Sequence, residues 1–179
     1  MIRLSYSILD PWSKGDIDEA LRRYWRVEQE PTQAMIEGRR FHQLWQDETD
    51  KTGKMPEIFG GKELVKPQTE LKLEVMLEPW LQFVGIIDLY DQEVIFDYKT
   101  GKTPVSAYSS SFQPLCYQVL LSESGLTPKE SVFLQFNQHI NKVKKSKRYL
   151  DDQTYKAGRE WIITFASEMY SALQESKEL

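Results

Sequence analysis

The stretch VGIIDLYDQEVIFDYKTG, residues 84–101, decides how this chain folds. It holds two runs rich in β-branched and aromatic residues, with polar residues between them where the chain can reverse. The reading places the turn at Asp91-Gln92 and makes a hairpin of the two runs. Its end continues into Gly101-Lys102-Thr103, which has the form of the tail of a phosphate-binding loop. That motif needs another glycine five residues before Gly101, and Phe96 stands there. Without it the backbone cannot wrap phosphates. No nucleotide cofactor is expected, and Gly101-Lys102 reads as the end of a strand.

The hairpin supports a different chemistry. With an even-numbered loop, Asp88 lies opposite Ile95, and Asp97 follows on the same face, diagonal to Asp88. Diagonal neighbours have Cα atoms roughly 7–8 Å apart, so two carboxylates can converge on one ion. Lys99 comes next on that face, because strand side chains alternate with period two. An odd loop would turn Asp88 away. Two carboxylates about 4 Å apart repel by about 4 kcal/mol at an effective dielectric near 20, and a divalent cation reverses that penalty. Oxygen ligands suit Mg²⁺ or Mn²⁺, and a neighbouring lysine can hold a water and stabilise charge on a phosphate.

Outward from the hairpin the periodicity changes. DIDEALRRYWRVEQ, from Asp16, and PTQAMIEGRRFHQLWQDE, from Pro31, have helical apolar spacing. TELKLEVMLEP alternates, with Leu71, Leu73, Val75 and Leu77 on one face, and Pro79 turns it back into the hairpin. SSSFQPLCYQVLLSESG reads as a serine-capped helix, SVFLQFNQ and KVKKSKRYL as strands, and DDQTYKAGREWIITFASEMYSAL as a closing amphipathic helix. The order is α-α-β-β-β-α-β-β-α. A helical crossover between the third and fourth strands makes them parallel neighbours, so the fold class is α/β with a mixed central β-sheet flanked by helices.

At this point GIIDLYDQEVIFDYKTGK resembles the central hairpin of the PD-(D/E)XK nuclease superfamily, in particular its RecB-like exonuclease branch. The matching residues are Gly85, Asp88, Asp97, Lys99, Thr100 and Gly101. Gly38 and His42, one helical turn apart, match the branch's upstream histidine motif, and Gln113 and Tyr117 match its downstream Gln-x-x-x-Tyr. The resemblance spans residues 32 to 150 and implies a restriction-endonuclease-like α-β-β-β-α-β core. It implies a metal-dependent deoxyribonuclease, working from an end rather than internally, with roles in DNA repair or recombination. His42, Asp88, Asp97 and the Tyr98 carbonyl would hold Mg²⁺ or Mn²⁺, Lys99 would position water, and Gln113 and Tyr117 would support it. Read without the resemblance, Gln113 and Tyr117 are equally ordinary helix packing, and His139 is a turn residue. Glu74 is either the family's glutamate near the metal or a solvated strand charge. Several RecB-like nucleases also hold an iron–sulfur cluster on four cysteines; this chain has only Cys116, so a variant without the cluster is expected.

Composition sets the outer bounds. The net charge of −4 gives no general affinity for nucleic acid, but a local basic groove remains compatible with it. Arg39 and Arg40 beside His42, and Lys102 after the motif, are candidates for phosphate contacts. The lysine-rich KVKKSKRY is either a second contact or a guard on an edge strand. One cysteine suits a reducing compartment. No apolar run is long enough to cross a bilayer, and MIRLSYSILDPW lacks a secretory pattern, so a cytoplasmic protein with no membrane partner is expected. A single domain over residues 1–179 is expected. The alternative to an enzyme is a non-catalytic DNA-binding or assembly module of a helicase or recombination complex on the same fold.

Overall fold

The computed structural model describes residues 1–175. Strand β1 (Ile2–Ser5) leads into helix α1 (Tyr6–Ser13), followed by α2 (Ile17–Tyr24) and α3 (Gln33–Thr52). Strands β2 (Pro67–Glu78), β3 (Leu81–Asp91) and β4 (Val94–Thr100) come next, then α4 (Val105–Ser109) and α5 (Gln113–Glu123). Strands β5 (Glu130–Asn137) and β6 (Lys142–Tyr149) precede the final helix α6 (Asp152–Glu175). The six strands form one mixed sheet flanked by helices. Side chains of α1, α5 and α6 fill the core against one face, including Leu9, Leu120, Ile162 and Met169. Trp45 of α3 packs with Tyr98, Leu134 and Phe136 in a second cluster. The expected parallel pairing across the helical crossover is present, between β4 and β5.

Strand β3 is the branch point. One edge pairs antiparallel with β2, from Pro67↔Asp91 to Glu78↔Leu81. The other edge is shared: β1 runs parallel to Leu81–Val84, and β4 runs antiparallel to Leu89–Asp91. Between the two ladders, residues 85–88 lie where the sheet forks. The side-chain alternation of β3 also slips there, since Phe83 and Ile87 lie in the α5–α6 core but Leu89 lies in the α3 cluster. Across from the slip on β2, between the pairs Thr69↔Leu89 and Leu71↔Ile87, Glu70 has a left-handed φ of 45°. The fork is therefore a kinked place on both strands.

Several elements differ from the sequence reading. SYSILDPW was assigned no element, yet it supplies the end of β1 and most of α1. Pro11 sits inside α1, where it removes the hydrogen bond that the Ser7 carbonyl would accept. Arg23 Nη1 fills the vacancy by donating to that oxygen at 2.6 Å. Helix α2 stops at Tyr24 rather than running on to Gln29. Arg26 takes a left-handed φ of 54°, and Arg26 N–H and Val27 N–H donate back to Arg23 O and Arg22 O in a Schellman-type ending. The hairpin turn is Gln92-Glu93, one residue later than expected, with Tyr90↔Ile95 and Asp91↔Val94 paired. The loop is still even, so the face of each side chain is unchanged, but Asp88 is opposite Asp97 rather than Ile95 when the register is continued. The segment after Gly101 forms two helices, and α5 starts at Gln113 without a serine cap.

Candidate active site

The chain reaches the fork from both layers. Helix α3 starts on Thr32, whose Oγ1 accepts from Met35 N–H, and comes close to the sheet at Gly38, where a Cβ would lie 3.2 Å from Thr100 Oγ1. One turn later His42 places Nδ1 3.5 Å from Asp88 Oδ1. Asp88 uses its other oxygen on the backbone, accepting from Tyr98 N–H at 2.7 Å. That N–H lies past the last β3–β4 pair, Leu89↔Phe96, so the carboxylate stands in for the ladder where the strands part. From the other layer, α5 presses on β3 at Gly85, where a Cβ would meet Leu120 Cδ1 at 2.5 Å. This close approach brings Gln113 and Tyr117 to Asp97. Gln113 Nε2 donates to Asp97 Oδ2 and to Tyr117 Oη, both at 2.8 Å.

Asp97 is 1% exposed, and Lys99 Nζ stands 2.5 Å from its Oδ1. The ammonium also lies over the rings of Tyr108 and Phe133, 5.4 and 5.6 Å from their centroids, so cation–π attraction helps to hold it. Burial pushes the Asp97 carboxyl up to about 6, with Lys99 opposing and the charge of Asp88 adding to the rise. Burial pushes Lys99 down, but the charge and hydrogen bond of Asp97 and the charge of Asp88 together outweigh it, and the net shift is upward. For His42 burial again lowers and Asp88 raises, with a net rise. Burial holds the Tyr117 phenol far above its ordinary range, so it stays protonated.

The donor set suits a hard divalent cation. Ligand atoms of His42, Glu70 and Asp88 lie within 4.8 Å of one another. Asp97 falls outside that group, although its Oδ1 is buried without a well-oriented hydrogen bond. Glu70 was missed by sequence reading, which looked instead to Glu74. Glu74 pairs with Arg3 and accepts from Gln82 at 3.1 Å. Only the cross-strand register, which sets Glu70 against Asp88, could have identified it. Tyr108 and Phe133 were missed too, because their contact with Lys99 depends on the α4 segment lying over β5.

The other expected positions are plain. The Tyr98 side chain turns into the α3 cluster, stacked on Phe59, and only its main chain faces Asp88. Arg39, Arg40 and Lys102 are exposed. Gln135 Nε2 donates to the Gly101 and Thr103 carbonyls, which pins the Gly-Lys-Thr stretch through its oxygens. His139 is exposed at a turn.

Comparison with known proteins agrees with this architecture. No curated protein matches the chain. Among solved structures, an alkaline exonuclease from Laribacter hongkongensis, LHK-Exo, superposes with a TM-score of 0.62 at 10% identity, over 98% of this chain and 92% of that one. LHK-Exo in complex with dAMP matches equally well. A phage related exonuclease from Haemophilus somnus 129PT gives 0.54 at 10% identity, over 96% and 82%. The family model of the PD-(D/E)XK nuclease superfamily matches residues 5–177. With the forked sheet, the Asp97–Lys99 pair and a model match over nearly all its length, the chain belongs to the PD-(D/E)XK nuclease superfamily.

Proposed function

We propose that this chain is a single-domain, divalent-metal-dependent deoxyribonuclease that removes nucleotides from DNA ends. The observation that carries the reading is a buried Asp97–Lys99 pair beside Asp88, His42 and Glu70, where carboxylates gather around a place with too few protons or cations to balance them. Asp88, His42 and Asp97 would hold Mg²⁺ or Mn²⁺, with Glu70 added to the set and the Tyr98 carbonyl as a further oxygen. When bound, the ion neutralises the carboxylates and draws electron density from the scissile phosphate.

The remaining work falls to the chain's own groups. Lys99, kept protonated by Asp97, donates to the attacking water and to the phosphate oxygens on which charge accumulates. Gln113 restrains Asp97 through Oδ2, leaving Oδ1 toward Lys99. Tyr117, held as a neutral phenol, fixes the Gln113 amide. Asp88 orients the His42 ring by its contact with Nδ1. Arg39, Arg40 and Lys102, all exposed, would contact the DNA backbone. The named activity of the similar structures, and the mononucleotide seen with LHK-Exo, support action at an end and release of single nucleotides.

The test is cleavage of linear and closed circular DNA, single- and double-stranded, by the purified protein with Mg²⁺, Mn²⁺ or EDTA. Linear DNA should be degraded to mononucleotides with either metal, and closed circles should survive. No product with any metal would overturn the enzyme reading.

A further inference from the structure

Two cavities meet at the fork, and the inner one borders the catalytic cluster through Gln113 and Tyr117. The inner one, of 440 Å³, opens where β1 and β4 diverge and is bordered by Gln113, Tyr117, Gly85 and Lys72. The outer one, of 510 Å³, is bordered by Trp25, Arg26 and Arg23. Arg3, Ser5, Ser7 and Val84 line both, so the two form one continuous trough. It runs from the side chains that hold Asp97 to the end of α2.

The trough has an apolar floor in its inner half, with Leu73, Phe83, Ile86 and Leu120, and cations along its length. Cations stand at intervals: Lys72 on the inner cavity, Arg3 at the junction, Arg23 and Arg26 on the outer cavity. Three carboxylates offset them, the first being Glu70, whose charge acts on Lys72. Glu74 pairs with Arg3, and Glu19 is shared between Arg22 and Arg23, so positive charge remains in excess. The start of α1 lies at the junction, with no acidic residue in its first turn and no side chain of Ser5 bonded to its N–H groups. Such an end attracts anions. At the far end Trp25 is 60% exposed, with Tyr24 edge-on to its ring at 4.9 Å, which leaves an aromatic face open to a planar partner.

We propose that this trough is the track of a single strand of nucleic acid, with phosphates along Lys72, Arg3 and Arg26 and an unpaired base stacked on Trp25. The assignment rests on the nuclease reading, since the inner end of the track is the proposed catalytic site. A strand needs both features at once, a cationic groove that follows its backbone and an aromatic face for its bases. Inside a paired duplex no base face is free for Trp25, and only its terminal pairs could stack there. The trough thereby states which side of the site receives the unpaired strand.

The test is binding of fluorescein-labelled dT12 in EDTA, where nothing is cleaved, measured by anisotropy for the parent, Trp25→Ala and Arg26→Gln. Both positions are exposed, and a thermal melt checks that each variant folds. Trp25→Ala should weaken dT12 binding by about tenfold, the scale of one lost stacking contact. Arg26→Gln should lower the slope of log affinity against log salt by about 0.7, the value for one phosphate contact on a single strand. A covalently closed duplex circle, labelled within one strand and lacking ends, should show no loss with Trp25→Ala. Parent-like dT12 binding by both variants would overturn the track, and equal loss on dT12 and duplex would overturn its single-strand assignment. Absence of any cleavage by the parent with Mg²⁺ or Mn²⁺ would instead overturn the nuclease reading, whatever the binding shows.

Discussion

At the scale of single residues, the proposed site divides holding a metal, given to Asp97, from doing chemistry, given to Lys99. Asp97→Asn removes an anionic ligand and leaves the Lys99 ammonium, which is 21% exposed in its side chain, without its partner 2.5 Å away. Its Mn²⁺ affinity should therefore fall together with cleavage. Lys99→Ala removes a cation from beside the carboxylates, so Mn²⁺ should bind as well or better while cleavage drops by about 10²–10³. Calorimetric titration of both variants beside a cleavage time course makes the comparison, and a Lys99→Ala protein that cleaves normally would falsify the assignment. Glu70 has its own test. Glu70→Gln keeps the size of the side chain at its left-handed position and removes the charge, so weaker Mn²⁺ binding would mark it as a ligand. Unchanged binding would return it to the surface charges.

At the scale of elements, the site depends on two glycines that let helix α5 come close. At Gly158 of α6 an added Cβ would sit 2.8 Å from both the carbonyl oxygen and the Cβ of Leu115, atoms that cannot swing aside. Gly158→Ala should destabilise the protein by about 1–3 kcal/mol, read by urea denaturation, and should slow cleavage by moving Gln113 and Tyr117 with α5. At Gly85 the obstacle is Leu120 Cδ1, the far end of a flexible side chain, so Gly85→Ala should cost less. The larger loss at Gly158 is the outcome to check. The elements also show what was legible beforehand. The β2–β3–β4 run and α3 with His42 could be read because each has a long periodic pattern, and the parallel β4–β5 pair because a helix crosses between the two strands. Four residues of β1 are too few to show a period, and Pro11 disguised α1 because the rescue of Ser7 O by Arg23 comes from 16 residues away. The turn moved by one residue for a similar reason. Asp91 is drawn out of it by accepting from Val65 and Lys66 N–H at 3.0 and 2.7 Å, a contact between distant segments. Glu70 was hidden because its neighbour in space, Asp88, is set by register and a backbone kink.

At the scale of the molecule, a cation at the fork would tie helix α3 to the sheet, since His42 comes from α3 and Glu70 and Asp88 from the paired strands β2 and β3. Binding to the folded state alone stabilises by about 2.7 kcal/mol at a hundredfold excess over Kd, a rise in Tm of roughly 5–11 °C for a chain of this size. The rise should depend on pH in a direction that the buried groups dictate. Asp97 is raised to about 6 by burial and His42 is raised by Asp88, so in the metal-free fold both favour their protonated forms. Their contribution to metal-free stability is complete below their unfolded pKa values and is lost as pH rises through the folded ones. A cation needs the opposite forms, carboxylate and neutral imidazole, so protons compete with it below about pH 6. The Mn²⁺-induced rise in Tm should therefore be small at pH 5.5 and large at pH 7.5. In Asp97→Asn the part due to that proton disappears, and the pH dependence should flatten toward that of His42 alone. A Tm shift that is independent of pH in the parent protein would mean that neither buried group meets the ion, and would move the metal site away from the fork.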